Sequence, residues 1–333
     1  MGYQPAFDGL RAIAVLAVMA FHAGAPIARG GFLGVDLFFV LSGYLITSIL
    51  VAEHRDTGRI HLAAFYWRRA IRLYPTLLIM LAAFVLMAPV LWPETPRFEH
   101  AALAALYLSD YSRAFYGAPE VILHTWSLSV EEHFYLILPL VLPAIIRSKS
   151  PARVLMLIWG FATLWRIINL WELGWDATYF RFDTRLSGLV LGCALAFYKG
   201  NGVPRIATGA AAVMLISALV FVRHKDWNSL QFAVTFAELA SAVLILGCRN
   251  IPFLSSTWLA YIGKLSYGIY LWHYPIVVYM RSFRTDWPTK VLVSVALSIL
   301  LAALTYHLVD TRLRRFRDVQ WTRTHSGSSV PMV

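Results

Sequence analysis

Residues 30–52 read GGFLGVDLFFVLSGYLITSILVA, and Asp36 is the only charged side chain among them. At ~1.5 Å of rise per residue, a helix of this length crosses the ~30 Å hydrocarbon layer of a membrane. Its glycines at 30, 31, 34 and 43 let a neighbouring backbone come close, as helices packed in lipid require. The run reads as a spanning helix that meets its neighbours tightly and carries one carboxylate into the bilayer.

Comparable apolar runs recur at 10–26, 73–91, 128–146, 154–171, 186–198, 206–222, 230–247, 263–280 and 291–309, which with 33–52 gives ten candidate spans. A shorter run, 98–111, holds Glu99, His100 and Asp110 and is expected to form an interfacial or re-entrant helix. Composition agrees. Of the 333 residues 59% are hydrophobic and only 14% charged, with a mean hydropathy of +0.62, whereas soluble domains carry about 25% charged residues. The expected fold class is therefore all-α, a polytopic transmembrane helical bundle of about ten spans. Soluble, fibrous, disordered and small disulfide-stapled chains are excluded.

Charge sets the orientation. The net charge of +11 comes from 24 Arg and 5 Lys, a balance that in a soluble chain would suggest nucleic acid and here suits cytoplasmic loops. Ten spans with the N-terminus inside place 17 basic residues in cytoplasmic loops and 10 in outer ones. Eleven spans would push the Arg147-Ser-Lys149 loop outside. Both termini are thus expected in the cytoplasm, with a transmembrane domain over 1–317 and a polar, disordered tail over 318–333. The run 13–21 followed by Ala23-Gly24-Ala25 faintly resembles a leader, but Asp8, Arg11 and His22 argue against that reading. Cys193 and Cys248 lie in or beside apolar runs, so neither a disulfide framework nor a metal site is indicated.

Ionisable groups inside a bilayer cost several kcal/mol and are functional candidates by default. Arg11 and His22 are eleven residues apart, which returns to nearly the same helix face ~17 Å further along. An Arg that snorkels and a His bonded to a nearby carbonyl would explain the same pair. Asp36 is expected at the depth of His22, where a carboxylate fixes the imidazole tautomer for general-base work; capping the helix start is its alternative duty. Arg69 and Arg72 present two guanidinium groups on one face, suited to phosphates and equally to anionic lipid.

Ser129 and Glu132 have capping-box spacing. Glu131 has no such duty and is placed in the outer third of the membrane with His22 and Asp36. Asp183 and Arg185 open the sixth span, where they either serve a substrate or pair with each other. His273 lies in the outer half of the ninth span. Arg166 and Glu238 fall mid-span and could form a buried pair, though sequence alone does not set them side by side.

These segments resemble the acyltransferase-3 family of bacterial integral membrane O-acyltransferases. The resemblance runs from Phe7 to about Asp310. It rests on the Arg11-to-His22 spacing after Phe7-Asp8-Gly9-Leu10, the Gly31-Phe-Leu-Gly-Val-Asp-Leu-Phe-Phe39 segment and Arg69/Arg72 after Phe65-Tyr66. Trp126-Ser127-Leu128 with Glu131, and Asp183-Thr184-Arg185 followed by Gly188 and Gly192, add to it. It implies a multi-pass protein of the bacterial cytoplasmic (inner) membrane, an acyl-CoA donor, usually acetyl-CoA, and an acceptor hydroxyl, commonly on a cell-surface or exported carbohydrate.

By position, Arg11, His22, Asp36, Arg69, Arg72 and Glu131 match the family's functional residues. His22, Asp36 and Glu131 are assigned to catalysis and Arg11, Arg69 and Arg72 to the donor; Trp126, Asp183, Arg185 and His273 are expected to bind substrate. Two departures matter. Asp310-Thr311-Arg312 stands where the family often has Glu followed shortly by Pro, so Asp310 is assigned no role. No esterase-like domain of the kind some relatives carry is recognisable, so transfer is expected to finish within the membrane domain or with a partner.

The expected mechanism divides labour across the bilayer. The CoA phosphates sit at the cytoplasmic arginines, the pantetheine arm reaches through the membrane, and His22, oriented by Asp36, deprotonates the acceptor hydroxyl. A covalent acyl-His22 intermediate is the variant. Glu131 binds acceptor hydroxyls or handles protons. No metal and no nucleic acid are required, and a homo-oligomer stays open. The rivals are a transporter or flippase, which would want paired halves with broken helices, and an acyltransferase acting on a small macrolide-type natural product.

Overall fold

The computed structural model describes residues 3–200 and 202–313. The tail expected over 318–333 lies outside the described residues. The described chain is an all-helical polytopic bundle whose α-helices are α1 (Pro5–His22), α2 (Gly34–Thr57), α3 (Leu62–Leu91), α4 (Arg97–Ala105), α5 (Ser109–Tyr116), α6 (Thr125–Arg147), α7 (Pro151–Tyr179), α8 (Phe182–Leu195), α9 (Arg205–Phe221), α10 (Val234–Gly247), α11 (Thr257–Met280) and α12 (Trp287–Thr305).

Every one of the ten expected spans is helical. Among the described residues, seven helical segments are long and apolar enough to cross a membrane: α1, α2, α3, α6, α7, α12 and Ser229–Asn250, which is α10 together with the helical turns on either side of it. At 14 and 17 residues α8 and α9 are short for the task, and in α11 the Tyr, Trp and His side chains dilute the apolar signal. Helix α3 starts eleven residues before its apolar run because hydropathy marks contact with lipid and not the end of backbone hydrogen bonding. The stretch 98–111 is split into α4 and α5 around Tyr107, which has a positive φ of 54°. Neither piece is long enough to span. Instead they fold inward: the Tyr74 hydroxyl of α3 donates to the Ala105 carbonyl at 3.2 Å, and buried Asp110 pairs with His133 of α6 at 3.2 Å.

Two parallel helix pairs form the centre. In the first, α1 lies along α11, with Gly263 packed directly on the Asp8 backbone and His22 beside His273. In the second, α2 lies along α8, with Gly43 against Gly192 and Asp36 against Arg185. A Cβ built on Gly192 would stand 3.0 Å from the Gly43 Cα and closer still to the Val40 carbonyl, so the α2–α8 crossing depends on missing side chains. Gly31 and Gly34 likewise press on Ala17 and Ala14 of α1. The four glycines of the 30–52 segment therefore sit at close approaches, as their spacing suggested. α1 is enclosed on most sides, which places His22 inside the protein and not on the lipid face.

Candidate active site

His22 ends α1, and its ring is met by α11. Its Nδ1 lies 3.0 Å from His273 Nε2, and the Tyr274 ring stands edge-on at 4.8 Å. The backbone fixes which nitrogen carries which proton. His273 Nδ1 sits 2.5 Å from the Tyr270 carbonyl oxygen, and a carbonyl only accepts, so this nitrogen holds the proton of the neutral ring. His273 Nε2 is then a lone pair, His22 Nδ1 donates to it, and the proton-free nitrogen of His22 is Nε2. The tautomer of His22 is thus set without a carboxylate. Arg281 donates to the His22 carbonyl at 3.0 Å and holds the end of α1 in place.

Tyr270, His273 and Tyr274 share one face of α11 at the i, i+3, i+4 spacing. A third imidazole, His124, lies against all three, at ring distances of 5.4 Å from Tyr270, 5.3 Å from His273 and 5.4 Å from Tyr274. The Tyr270 hydroxyl is 2.6 Å from Ser127 Oγ and also donates to the His124 carbonyl at 3.1 Å. On the loop after α9, His224 is boxed by Phe21, Phe32, Trp175 and Tyr179 at 4.5–5.5 Å. Burial among those rings, with Lys225 adjacent, pushes its pKa down to about 4.

The structure corrects several expected placements. Asp36 does not orient His22. Its Oδ1 accepts from Arg185 Nη2 at 2.6 Å, both side chains being fully buried. Glu131 is not beside His22 either; it lies by Ser42 and within reach of Arg69 and Glu132. The reason is geometric. Helix α6 runs away from the histidines: Ser127 in its first turn reaches Tyr270, whereas Glu132 and Leu136 further along meet Arg69 and Tyr66 near the start of α3, where the Tyr66 hydroxyl donates to the Leu136 carbonyl at 2.9 Å. The Ser129–Glu132 capping box does not form, because Ser129 is already inside the helix and donates to the Thr125 carbonyl. Glu132 instead faces Arg69 at 3.5 Å.

Arg69 is nearly buried, its guanidinium 3.3 Å from the Tyr135 ring centre, whereas Arg72 is exposed. The two guanidinium groups therefore do not share one exposed surface. Arg11 pairs with Asp8 at 2.9 Å at the far end of α1 from His22. Asp183 and Arg185 do not pair with each other. Asp183 is gripped by Arg181 and takes the Trp165 indole N–H at 2.8 Å. Trp126 is buried with its ring 5.8 Å from the Arg185 guanidinium, beside Phe39 and Tyr179. Arg166 and Glu238 do pair, at 3.2 Å and wholly buried, with Ser187 and Thr235 completing their hydrogen bonds.

His273, expected as a substrate ligand, is thus the partner of His22. Sequence reasoning passed over His124, Tyr270 and Tyr274. The signal for the tyrosines was the helical spacing around His273; for His124 it was a histidine standing directly before the Thr125-Trp-Ser helix start.

Between the histidines and the Arg69–Glu131 group, α2 offers one face. Phe38, Ser42, Leu45 and Ile49 are among its partly exposed positions, at helical spacing. Phe38 approaches Tyr270 at 6.4 Å, and Ser42 hydrogen-bonds Tyr135. One stripe of α2 therefore borders both groups. Among the described residues, no set of His, Cys, Asp or Glu side chains is arranged to hold a metal ion.

The chain is 34% identical to the O-acetyltransferase OatA of Staphylococcus aureus (strain NCTC 8325 / PS 47), an alignment covering 94% of this chain and 57% of the relative. It is 31% identical to a second protein of that species (strain MRSA252), provisionally named O-acetyltransferase SAR0937, over 100% of this chain and 61% of the relative. The chain thus spans about three fifths of the length of these relatives. No solved structure matches it. A match to the acyltransferase-domain family runs over residues 4–307, nearly the whole chain, and the protein belongs to that acyltransferase-3 family.

Proposed function

We propose that this chain is a membrane O-acyltransferase that moves an acyl group, in the first instance acetyl, from acyl-CoA supplied on the cytoplasmic side of a bacterial inner membrane to a hydroxyl of an exported or cell-surface carbohydrate. The observation that carries the reading is the His22–His273 pair, an imidazole whose Nε2 lone pair is fixed by a relay ending on the Tyr270 carbonyl. Membership of the family and the O-acetyltransferase names of the relatives support the reaction class.

The acceptor hydroxyl donates to His22 Nε2. Its oxygen bonds to the thioester carbonyl carbon as the proton passes to Nε2, and the carbon–sulfur bond breaks. The thiolate takes the proton back, leaving an ester, free CoA and neutral His22. General-base assistance of this kind contributes about 10²–10⁴-fold. The donor reaches His22 along the α2 stripe, with its phosphates outside at the exposed Arg72 and the basic loop ends. Arg69 and Glu131 line that route and do not bind phosphate.

Purified protein in liposomes, given acetyl-CoA labelled in the acetyl group and a cell-envelope carbohydrate fraction, tests this. The expected result is label in a base-labile ester of the carbohydrate, lost with His22→Ala. An intact thioester after incubation with wild-type protein would overturn the assignment.

A further inference from the structure

We infer that His124 accepts a hydrogen bond from the acyl donor, from the pantetheine amide N–H nearest the thioester. The inference rests on the proposed transfer reaction. His124 precedes α6 and is only 1% exposed. Its backbone is held: the carbonyl takes the Tyr270 hydroxyl at 3.1 Å and the Ser127 hydroxyl at 3.3 Å. Its ring is not. Neither ring nitrogen has a hydrogen-bond partner among the described residues.

One side of the ring faces the backbone of Leu271. In an α-helix the Leu271 carbonyl would take the N–H of residue 275, but residue 275 is proline and has none. A neutral imidazole carries one proton, on one of its two nitrogens. The other nitrogen is left as a buried lone pair without a donor, a costly state that native interiors seldom keep without a partner.

Its place suggests the partner. Contacts run from His22 to His273 and Tyr274, then to His124 and Tyr270, and from Tyr270 to Phe38 on the α2 stripe. His124 therefore lies in the group of rings that joins His22 to Phe38 at the end of the α2 stripe, the route proposed for the donor. A thioester carbonyl placed at His22 trails its sulfur inward, and behind the sulfur a two-carbon link carries the first pantetheine amide. That N–H is the donor the imidazole lacks.

The test compares two small donors, the thioacetate of N-acetylcysteamine, which carries this amide, and its isostere with an ester oxygen in place of the N–H. With wild-type protein the amide donor should be used about 10-fold better by kcat/KM. His124→Phe should erase that preference by slowing the amide donor alone, and His124→Gln, whose amide oxygen accepts, should restore part of it. An equal loss on both donors, or no loss, would overturn the role of His124 and leave the transfer reaction standing. If His124→Phe does not fold, a wild-type preference near unity overturns it as well. Failure of wild-type protein to use acetyl-CoA or either small donor would overturn both readings.

Discussion

Two groups of polar side chains sit within one apolar bundle, and they are built on opposite principles. Around α8, Asp36 with Arg185 and Arg166 with Glu238 are charged, wholly buried and matched in sign. Around α11, His22, His273 and His124 carry no obligatory charge, and their order is set by backbone carbonyls. Formal charge in a bilayer is expensive, and pairing across α2–α8 and α7–α10 cancels most of the cost. Imidazoles are cheap to bury neutral and retain a lone pair, which suits them to the base role proposed for His22. The charged residues Asp36 and Arg185 thus answer each other and not His22.

The contrast can be broken by mutation. The largest effect is expected at His22, where His22→Ala should lower transfer about 10²–10⁴-fold while the melting temperature in detergent stays within a few degrees. Near-normal transfer would remove it as the base. Next, Asp36→Ala should leave Arg185 as a lone buried charge and cost about 3–5 kcal/mol, with most of the loss recovered in an Asp36→Leu, Arg185→Met double variant. A stable but inactive Asp36→Asn would instead return Asp36 to catalysis.

His273→Phe removes the acceptor that orients His22 and should cost about 10–100-fold in transfer with little change in stability. A wild-type rate would show that His22 needs no orienting partner. The smallest effect concerns His224. Its folded pKa near 4 lies below the unfolded value near 6.5, so the unfolded chain binds the proton first. Stability contributed here is present above about pH 6.5 and is lost as pH falls toward 4. His224→Phe should flatten that part of the melting-temperature profile, and an unchanged slope would place the acid sensitivity elsewhere.

Much of the fold was legible because the bilayer imposes a simple code. The runs at 33–52 and 154–171 announce spans by hydropathy alone, and glycines 31, 34 and 43 announce close packing by their position within such a run. Helix α11 was the hard case, since the tyrosines and histidines that build the site also weaken its apolar signal. Within the site, His22 could be found by its spacing from Arg11, but its partner could not. Asp36 and His273 were both plausible at that depth, and the choice depends on which helix packs on α1.

The sequence by itself determined that this chain is a many-helix membrane protein with ionisable groups where lipid would reject them, because burial of apolar length and the cost of charge are local properties of a segment. Only the tertiary structure decided which of those groups answer one another. The parallel pairing of α1 with α11 and of α2 with α8 sends Asp36 to Arg185 and gives His22 a second imidazole. Partner choice between helices is set by long-range packing, and nothing in a single segment encodes it.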